Sequence, residues 1–291
     1  MSESDLKPIR FITGMHRSGT TWVGKMAEQA APGCVVHEPL NAHAGLVGVK
    51  EWYYGPAESS YALSLIAEMM RGKRTFRRSR SRDTALKNLA RIAGGSRYER
   101  NLSHTLRSSD VVLLKDPFLI RLGADMAERF DAKGIIMVRH PAALINSLRR
   151  MGWILPKRDG FAAETKSEDP ELQLAYEIGF FWEKLYSEVE AQIRRAPEKL
   201  LLVRHEDMCT TPTEIGEKIL AHLDLPQNDE ALDFLRVSTS GEAGEISGKQ
   251  LHNMHRDAKK LAKSWRISLS EAQISMLRTG AGGTLRNLYP E

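Results

Sequence analysis

The chain has 291 residues, a formal net charge of +5 and 42% hydrophobic residues, enough for an ordinary globular core and unlike disordered or fibrous compositions. It holds no run of about 18 apolar residues, so no membrane-spanning helix is expected, and the opening Met1-Ser-Glu-Ser-Asp-Leu-Lys7 lacks the basic start and apolar stretch of a secretory leader. Cys34 and Cys209 are its only cysteines and stand far apart, which excludes a disulfide framework and reads as free thiols in a reducing, cytoplasmic compartment.

In chain order, the first predicted strand, Arg10 to Gly14, runs into a Gly-bounded loop, and a helix follows over residues 19–30. The spacing Gly14-x4-Gly19-Thr20-Thr21 overlays the phosphate loop of nucleotide triphosphatases except at Thr20, which stands where that loop needs its Lys. The positive charge sits earlier, at Arg17. Backbone N–H groups of such a loop and the helix N-terminus behind it hold phosphate. Arg inside the turn, with two hydroxyls after it, suits a single phosphate bound without obligatory metal. A ligand-free strand-to-helix turn is the alternative.

The second strand, Cys34 to His37, stops at Glu38-Pro39. Residues 41–60 are rich in Gly, Pro and aromatics and resist assignment, as do 151–169 and 238–253; loops this long tend to be functional or disordered. Arg71, Lys73, Arg74, Arg77, Arg78, Arg80 and Arg82 crowd twelve positions. Such a block reads as a solvated surface, or else as a docking face for an acidic substrate, lipid headgroup or partner. Nucleic acid is not expected, because only Phe76 interleaves with the charges.

The third strand, Asp110 to Lys115, turns at Asp116-Pro117-Phe118 into a helix over residues 120–130. The fourth, Gly134 to Arg139, leads through His140 into a helix from Pro141 to Met151. A long helix from Glu171 to Arg194 carries Leu174, Ile178, Phe181, Leu185, Val189 and Ile193 on one stripe. The fifth strand, Leu200 to Arg204, ends at His205-Glu206-Asp207. Near-continuous apolar strands alternating with helices predict a doubly wound α/β fold with a mainly parallel sheet of about five strands and a P-loop-like phosphate loop. The expectation is a single domain over 1–291, with a core of 9–212 and a helical C-terminal part, 213–291.

Ligands of such folds bind outside the carboxyl ends of the strands. Arg17, Glu38, Lys115 and Arg139 each stand at a strand end, so they are expected to converge. No acidic cluster stands at metal-ligand spacing, and no metal is expected.

These residues carry a family resemblance. Arg17-Ser18-Gly19-Thr20-Thr21-Trp22 resembles the loop of sulfotransferases that binds the 5′-phosphosulfate of 3′-phosphoadenosine-5′-phosphosulfate (PAPS). Arg139 and Ser147, eight residues apart, match the family's second motif, which binds the 3′-phosphate. Lys115-Asp-Pro-Phe118 is similar to a segment of tyrosylprotein sulfotransferases. In these and in heparan sulfotransferases a Glu after the second strand is the base, a role that falls here on Glu38. Arg204-His-Glu-Asp-Met208 resembles the signature after the last core strand.

The resemblance implies a PAPS-dependent O-sulfotransferase releasing adenosine 3′,5′-bisphosphate (PAP). Lys115 and Arg17 would steady the transferring group. His37 is the alternative base, because the catalytic His of the cytosolic enzymes has no counterpart. Their Arg-Lys-Gly loop is also absent as such, which leaves Gly248-Lys249, Arg256, Lys259 and Lys260 as candidates for the 3′-phosphate. A phosphotransferase with an altered phosphate loop and a non-catalytic nucleotide-binding protein are the other readings. The acceptor is open among small-molecule, carbohydrate, lipid and peptide hydroxyls; Trp52, Tyr53, Tyr54 and Trp153 suit an apolar or sugar-ring acceptor, or simply pack their loops. Oligomeric state is also open.

Overall fold

The structure is a computed structural model and describes residues 6–77, 97–151, 155–156, 160–239 and 264–290. At its centre lies a parallel sheet of β1 (Ile9–Gly14), β2 (Val35–His37), β3 (Val112–Lys115), β4 (Lys133–Val138) and β5 (Leu200–Arg204), in spatial order β2-β3-β1-β4-β5. Around it, in chain order, are α1 (Thr20–Ala30), α2 (Ser59–Met70), α3 (Arg97–Ser108), α4 (Gly123–Phe130), α5 (Pro141–Met151), α6 (Pro170–Arg195), α7 (His205–Thr210), α8 (Pro212–His222), α9 (Asp229–Thr239), α10 (Trp265–Ser268) and α11 (Glu271–Leu288).

The expected α/β fold with its parallel sheet is present. Its strands read as continuous apolar runs because they are buried on both faces. Successive side chains point to opposite sides. Phe11, Val36, Leu114, Ile136 and Val138 enter one core, packed with residues of α2, α4, α5, α6 and α11. Ile12, Val35, Leu113, Ile135 and Met137 enter the other, with residues of α1, α8 and α9.

Two stretches differ from expectation. The segment after β3 is not helical from residue 120. Pro117–Leu119 forms a 3₁₀ turn, capped by the Asp116 side chain accepting from the Phe118 N–H, and α4 starts only at Gly123. The unassigned stretch 41–60 runs directly into α2, whose buried Ala62, Leu63, Leu65, Ile66, Ala67, Met69 and Met70 crowd more than one helical face.

The longest of the described helices, α6, is capped by Asp169, whose carboxylate accepts from the Glu171 and Leu172 N–H groups. It lies against α11 at very short range. A Cβ on Gly179 would fall 2.2 Å from the Leu277 carbonyl oxygen, and one on Gly280 would fall 2.3 Å from that of Tyr176. Gly179→Ala is therefore expected to force the helices apart and cost roughly 1–3 kcal/mol. Chemical denaturation would show it, and a wild-type midpoint would mean that the two helices part freely.

The strand order also fixes where a ligand can enter. From β1 the chain travels toward β2, whereas from β4 it travels toward β5, so the loops after these adjacent strands diverge. That divergence opens a crevice at their carboxyl ends.

Candidate active site

The loop after β1 lies at this crevice. Gly14 has φ 147°, and a Cβ there would stand 2.3 Å from the Met137 carbonyl oxygen on β4. Only glycine lets the strand turn so close to its neighbour. The Met15 N–H donates to the Tyr186 hydroxyl (3.1 Å), which itself donates to the Met137 carbonyl (2.7 Å). The loop is thus tied to both α6 and β4. Gly19 is the N-cap of α1 at φ 103°, with no side-chain cap and no acidic residue in the first turn. A helix start of this kind presents backbone N–H groups and the positive end of its dipole to an anion.

Arg17, Arg139 and Ser147 come together beside that helix start. The Arg17 Nε donates to the Ser147 Oγ (2.9 Å), and the Arg139 guanidinium donates to the Arg17 carbonyl (3.1 Å). The Arg139 carbonyl accepts from the Trp182 indole on α6 (3.0 Å), which fixes the end of β4. Burial pulls the Arg139 pKa below its ordinary value, against the charge of Glu206. Ser18 and Thr20 are buried, and Thr21 is half-buried. Trp22 donates to the Ser238 Oγ (2.8 Å) and meets the His205 ring edge-on.

At the other side of β1, Glu38 and Lys115 form an ion pair with Nζ to Oε1 at 2.6 Å. The Glu38 N–H donates to the Lys115 carbonyl (2.9 Å), carrying the β2–β3 ladder one residue further. Asn41 Nδ2 donates to the other carboxylate oxygen (2.9 Å). Burial pushes the Glu38 carboxyl up, but the charge and hydrogen bond of Lys115 and the Asn41 hydrogen bond outweigh it and hold it below the usual carboxylate range.

His37 pairs in register with Lys115 in the backbone ladder, but it is the Glu38 carboxylate that reaches the ammonium. Asp116 fastens this corner. Its carboxylate accepts from the Leu40 N–H (2.7 Å) and the Phe118 N–H (2.9 Å), and burial pushes its pKa up to about 7.

His16, inside the phosphate loop, also belongs to this corner, and no spacing or motif in the sequence marks it. It meets the Phe118 ring edge-on at 4.8 Å, and its Nδ1 is hydrogen-bonded to the Tyr53 hydroxyl. Burial lowers its pKa to about 3, while Glu38 raises it and Lys115 and Arg17 lower it further. Those three charges therefore surround a neutral imidazole. Of the five non-glycine residues with positive φ among those described, Arg17 (71°), Glu38 (47°) and Tyr53 (58°) all belong to this region. Unfavourable backbone of this sort collects where the surrounding structure over-determines it, often at functional sites.

Two arginines of the basic block, Arg74 and Arg77, hold the loop after β2. Arg74 pairs with Glu68 and donates to the Val47 carbonyl, and Arg77 donates to the Val49 carbonyl. Tyr53 and Tyr54 are buried packing residues, whereas Trp52 is half-buried, stacks on Phe118 and meets His43 edge-on. Arg78, Arg80, Arg82, Trp153, Gly248, Lys249, Arg256, Lys259 and Lys260 lie outside the described residues.

The sequence profile of the sulfotransferase family matches residues 8–229, and the chain belongs to that family. The match spans the strands and loops that carry Arg17, Glu38, Lys115, Arg139 and Ser147, and it does not favour the phosphotransferase reading. No curated protein matches the chain significantly.

Among solved structures, it is similar to the sulfotransferase domain of the Synechococcus PCC 7002 olefin synthase: 19% identity, 96% of this chain and 98% of that one covered, TM-score 0.49. It is similar also to mouse sulfotransferase SULT7A1 complexed with PAP: 12% identity, 99% and 86% covered, TM-score 0.46. A third is sulfotransferase STF1 of Mycobacterium tuberculosis: 15% identity, 92% and 79% covered, TM-score 0.43. None of the helices described is long and apolar enough to cross a membrane.

Proposed function

We propose that this member of the sulfotransferase family moves the sulfuryl group of PAPS to an acceptor hydroxyl. The observation that supports this most is that Arg17, Arg139 and Ser147, joined beside the start of α1, and the Glu38–Lys115 ion pair all stand at the carboxyl ends of the strands. In this reading Arg17, Ser18, Gly19, Thr20 and Thr21 hold the 5′-phosphosulfate end, Trp22 borders it, and Arg139 and Ser147 take the 3′-phosphate. Arg256 remains a candidate for the same phosphate.

The acceptor oxygen attacks sulfur in line while the bond from sulfur to the bridging phosphate oxygen breaks, and PAP departs with that electron pair. Glu38 takes the hydroxyl proton; His37 is the alternative base. Lys115 and Arg17 offset charge on the sulfuryl oxygens and on the leaving phosphate. Such a site works by positioning and fixed charge. A sulfuryl group carries less charge than a γ-phosphoryl group, which suits side-chain cations in place of a metal. A cytoplasmic setting is proposed with it, supported by two buried free thiols.

Thermal shift with PAP, compared with ATP plus magnesium, tests the donor. PAP alone should raise the melting temperature; stabilisation by ATP–magnesium alone would overturn the donor assignment. Transfer from radiolabelled PAPS across an acceptor panel, repeated in EDTA, then tests the reaction. Label should reach a hydroxyl compound and survive chelation. Dependence on added magnesium would contradict the proposed chemistry.

A further inference from the structure

Tyr53 stands out because a fully buried aromatic residue is held at φ 58°, where a bulky side chain is a genuine outlier. Two sets of contacts keep it there. Its carbonyl accepts from Arg121 (3.0 Å), whose guanidinium is gripped by both Glu188 carboxylate oxygens at 2.7 Å each. Its ring is enclosed edge-on by Phe118 (5.3 Å) and Phe181 (5.5 Å), with Phe161 tilted at 6.1 Å. The hydroxyl then crosses from the loop after β2 to the phosphate loop and meets the His16 Nδ1.

This brings together two segments that the proposed reaction must align. Arg17, next to His16, is assigned to the donor, and Glu38 begins the loop that continues to Tyr53. His16 also feels Glu38, Lys115 and Arg17, the charged groups assigned to transfer. Its ring has two neutral tautomers, and the partner of one nitrogen decides which proton the other carries. Tyr53 keeps its phenolic proton, because burial raises its pKa well above the usual value. A phenol that donates to Nδ1 leaves the proton of the imidazole on Nε2.

We propose that Tyr53 and His16 form a strut between the acceptor-side loop and the phosphate loop, in which the Tyr53 hydroxyl fixes His16 as a neutral Nε2–H imidazole and so positions Arg17 against the Glu38–Lys115 pair. Tyr53 and His16 are thus positioning residues for the sulfuryl transfer proposed above, on which their kinetic role rests. Removing the Tyr53 hydroxyl keeps the packed ring but takes away the partner of the His16 Nδ1. A reacting geometry loosened by about 1 Å loses roughly 10²-fold in rate.

The test uses the full chain with PAP bound and ¹⁵N-labelled histidine. Across roughly pH 5 to 8 His16 should give the nitrogen shifts of a single neutral tautomer, and Tyr53→Phe should convert them to a tautomer average. Tyr53→Phe and His16→Asn should each lower kcat roughly 10²-fold with the dissociation constant for PAP within about threefold, and the double variant should fall no further. Losses that multiply, a Tyr53→Phe variant with wild-type kcat, or an unchanged tautomer in Tyr53→Phe would each overturn the strut. The tautomer measurement needs no turnover, so failure of the transfer reading is told apart: wild type would then bind PAP with His16 fixed and yet transfer nothing.

Discussion

Glu38→Gln is expected to lower kcat for sulfuryl transfer by roughly 10²–10⁴, the usual worth of a positioned acid–base group, while PAP affinity stays within about threefold. The amide keeps the size of the carboxyl, and the proposed cofactor contacts lie on the other side of β1. The pH dependence gives an independent check. In the folded protein the Glu38 carboxyl is held below the usual carboxylate range. The active, ionised form therefore persists above that depressed value, and activity is lost only as the pH falls through it. The acid limb of kcat/KM should lie lower than for an ordinary glutamate.

Lys115→Met removes the main cation that depresses this group and leaves burial, which raises it. Its acid limb should move up in pH, on top of a lower kcat. A His37→Ala variant serves as control and should keep most of its turnover. If instead His37→Ala is inactive and Glu38→Gln is active, the base is His37 and the rest of the site stands.

The parallel sheet was legible because burial on both faces leaves a simple trace, a run of apolar residues without alternation. Strand-end logic also brought Glu38 toward Lys115, since β2 and β3 pair in register and end together. Other features have no such local trace. Helix α2 buries residues on more than one face, so it shows no single stripe. In the basic block, Arg74 and Arg77 look like solvated charge until the backbone carbonyls of Val47 and Val49 are laid beside them. His16 carries no signal within the phosphate loop. Its place among charged groups depends on Tyr53, thirty-seven residues further on, and on an aromatic cluster drawn from several elements.

PAP is expected to bind more tightly than adenosine 5′-phosphate by roughly 2–4 kcal/mol, the combined worth of charge-assisted contacts from Arg139 and Ser147 to the 3′-phosphate. That is about 30-fold to 1,000-fold in dissociation constant. Arg139→Ala should remove most of the difference and Ser147→Ala a smaller part. Each substitution also disturbs the loop, because Arg139 holds the Arg17 carbonyl and Ser147 holds the Arg17 guanidinium. The ratio of the two affinities within one variant separates these effects. A loosened loop weakens both ligands alike, whereas a lost 3′-phosphate contact weakens PAP alone.

Arg17→Ala provides the opposite pattern. It should weaken both ligands and lower turnover with them, leaving the ratio nearly unchanged, because Arg17 is assigned to the 5′ end that PAP and adenosine 5′-phosphate share. Calorimetry on the three variants decides the matter. Equal affinities of wild type for the two nucleotides would remove Arg139 and Ser147 from the 3′-phosphate. A ratio that collapses in Arg17→Ala instead would mean that Arg17, through its hydrogen bond to Ser147, serves the 3′-phosphate and not the sulfuryl group.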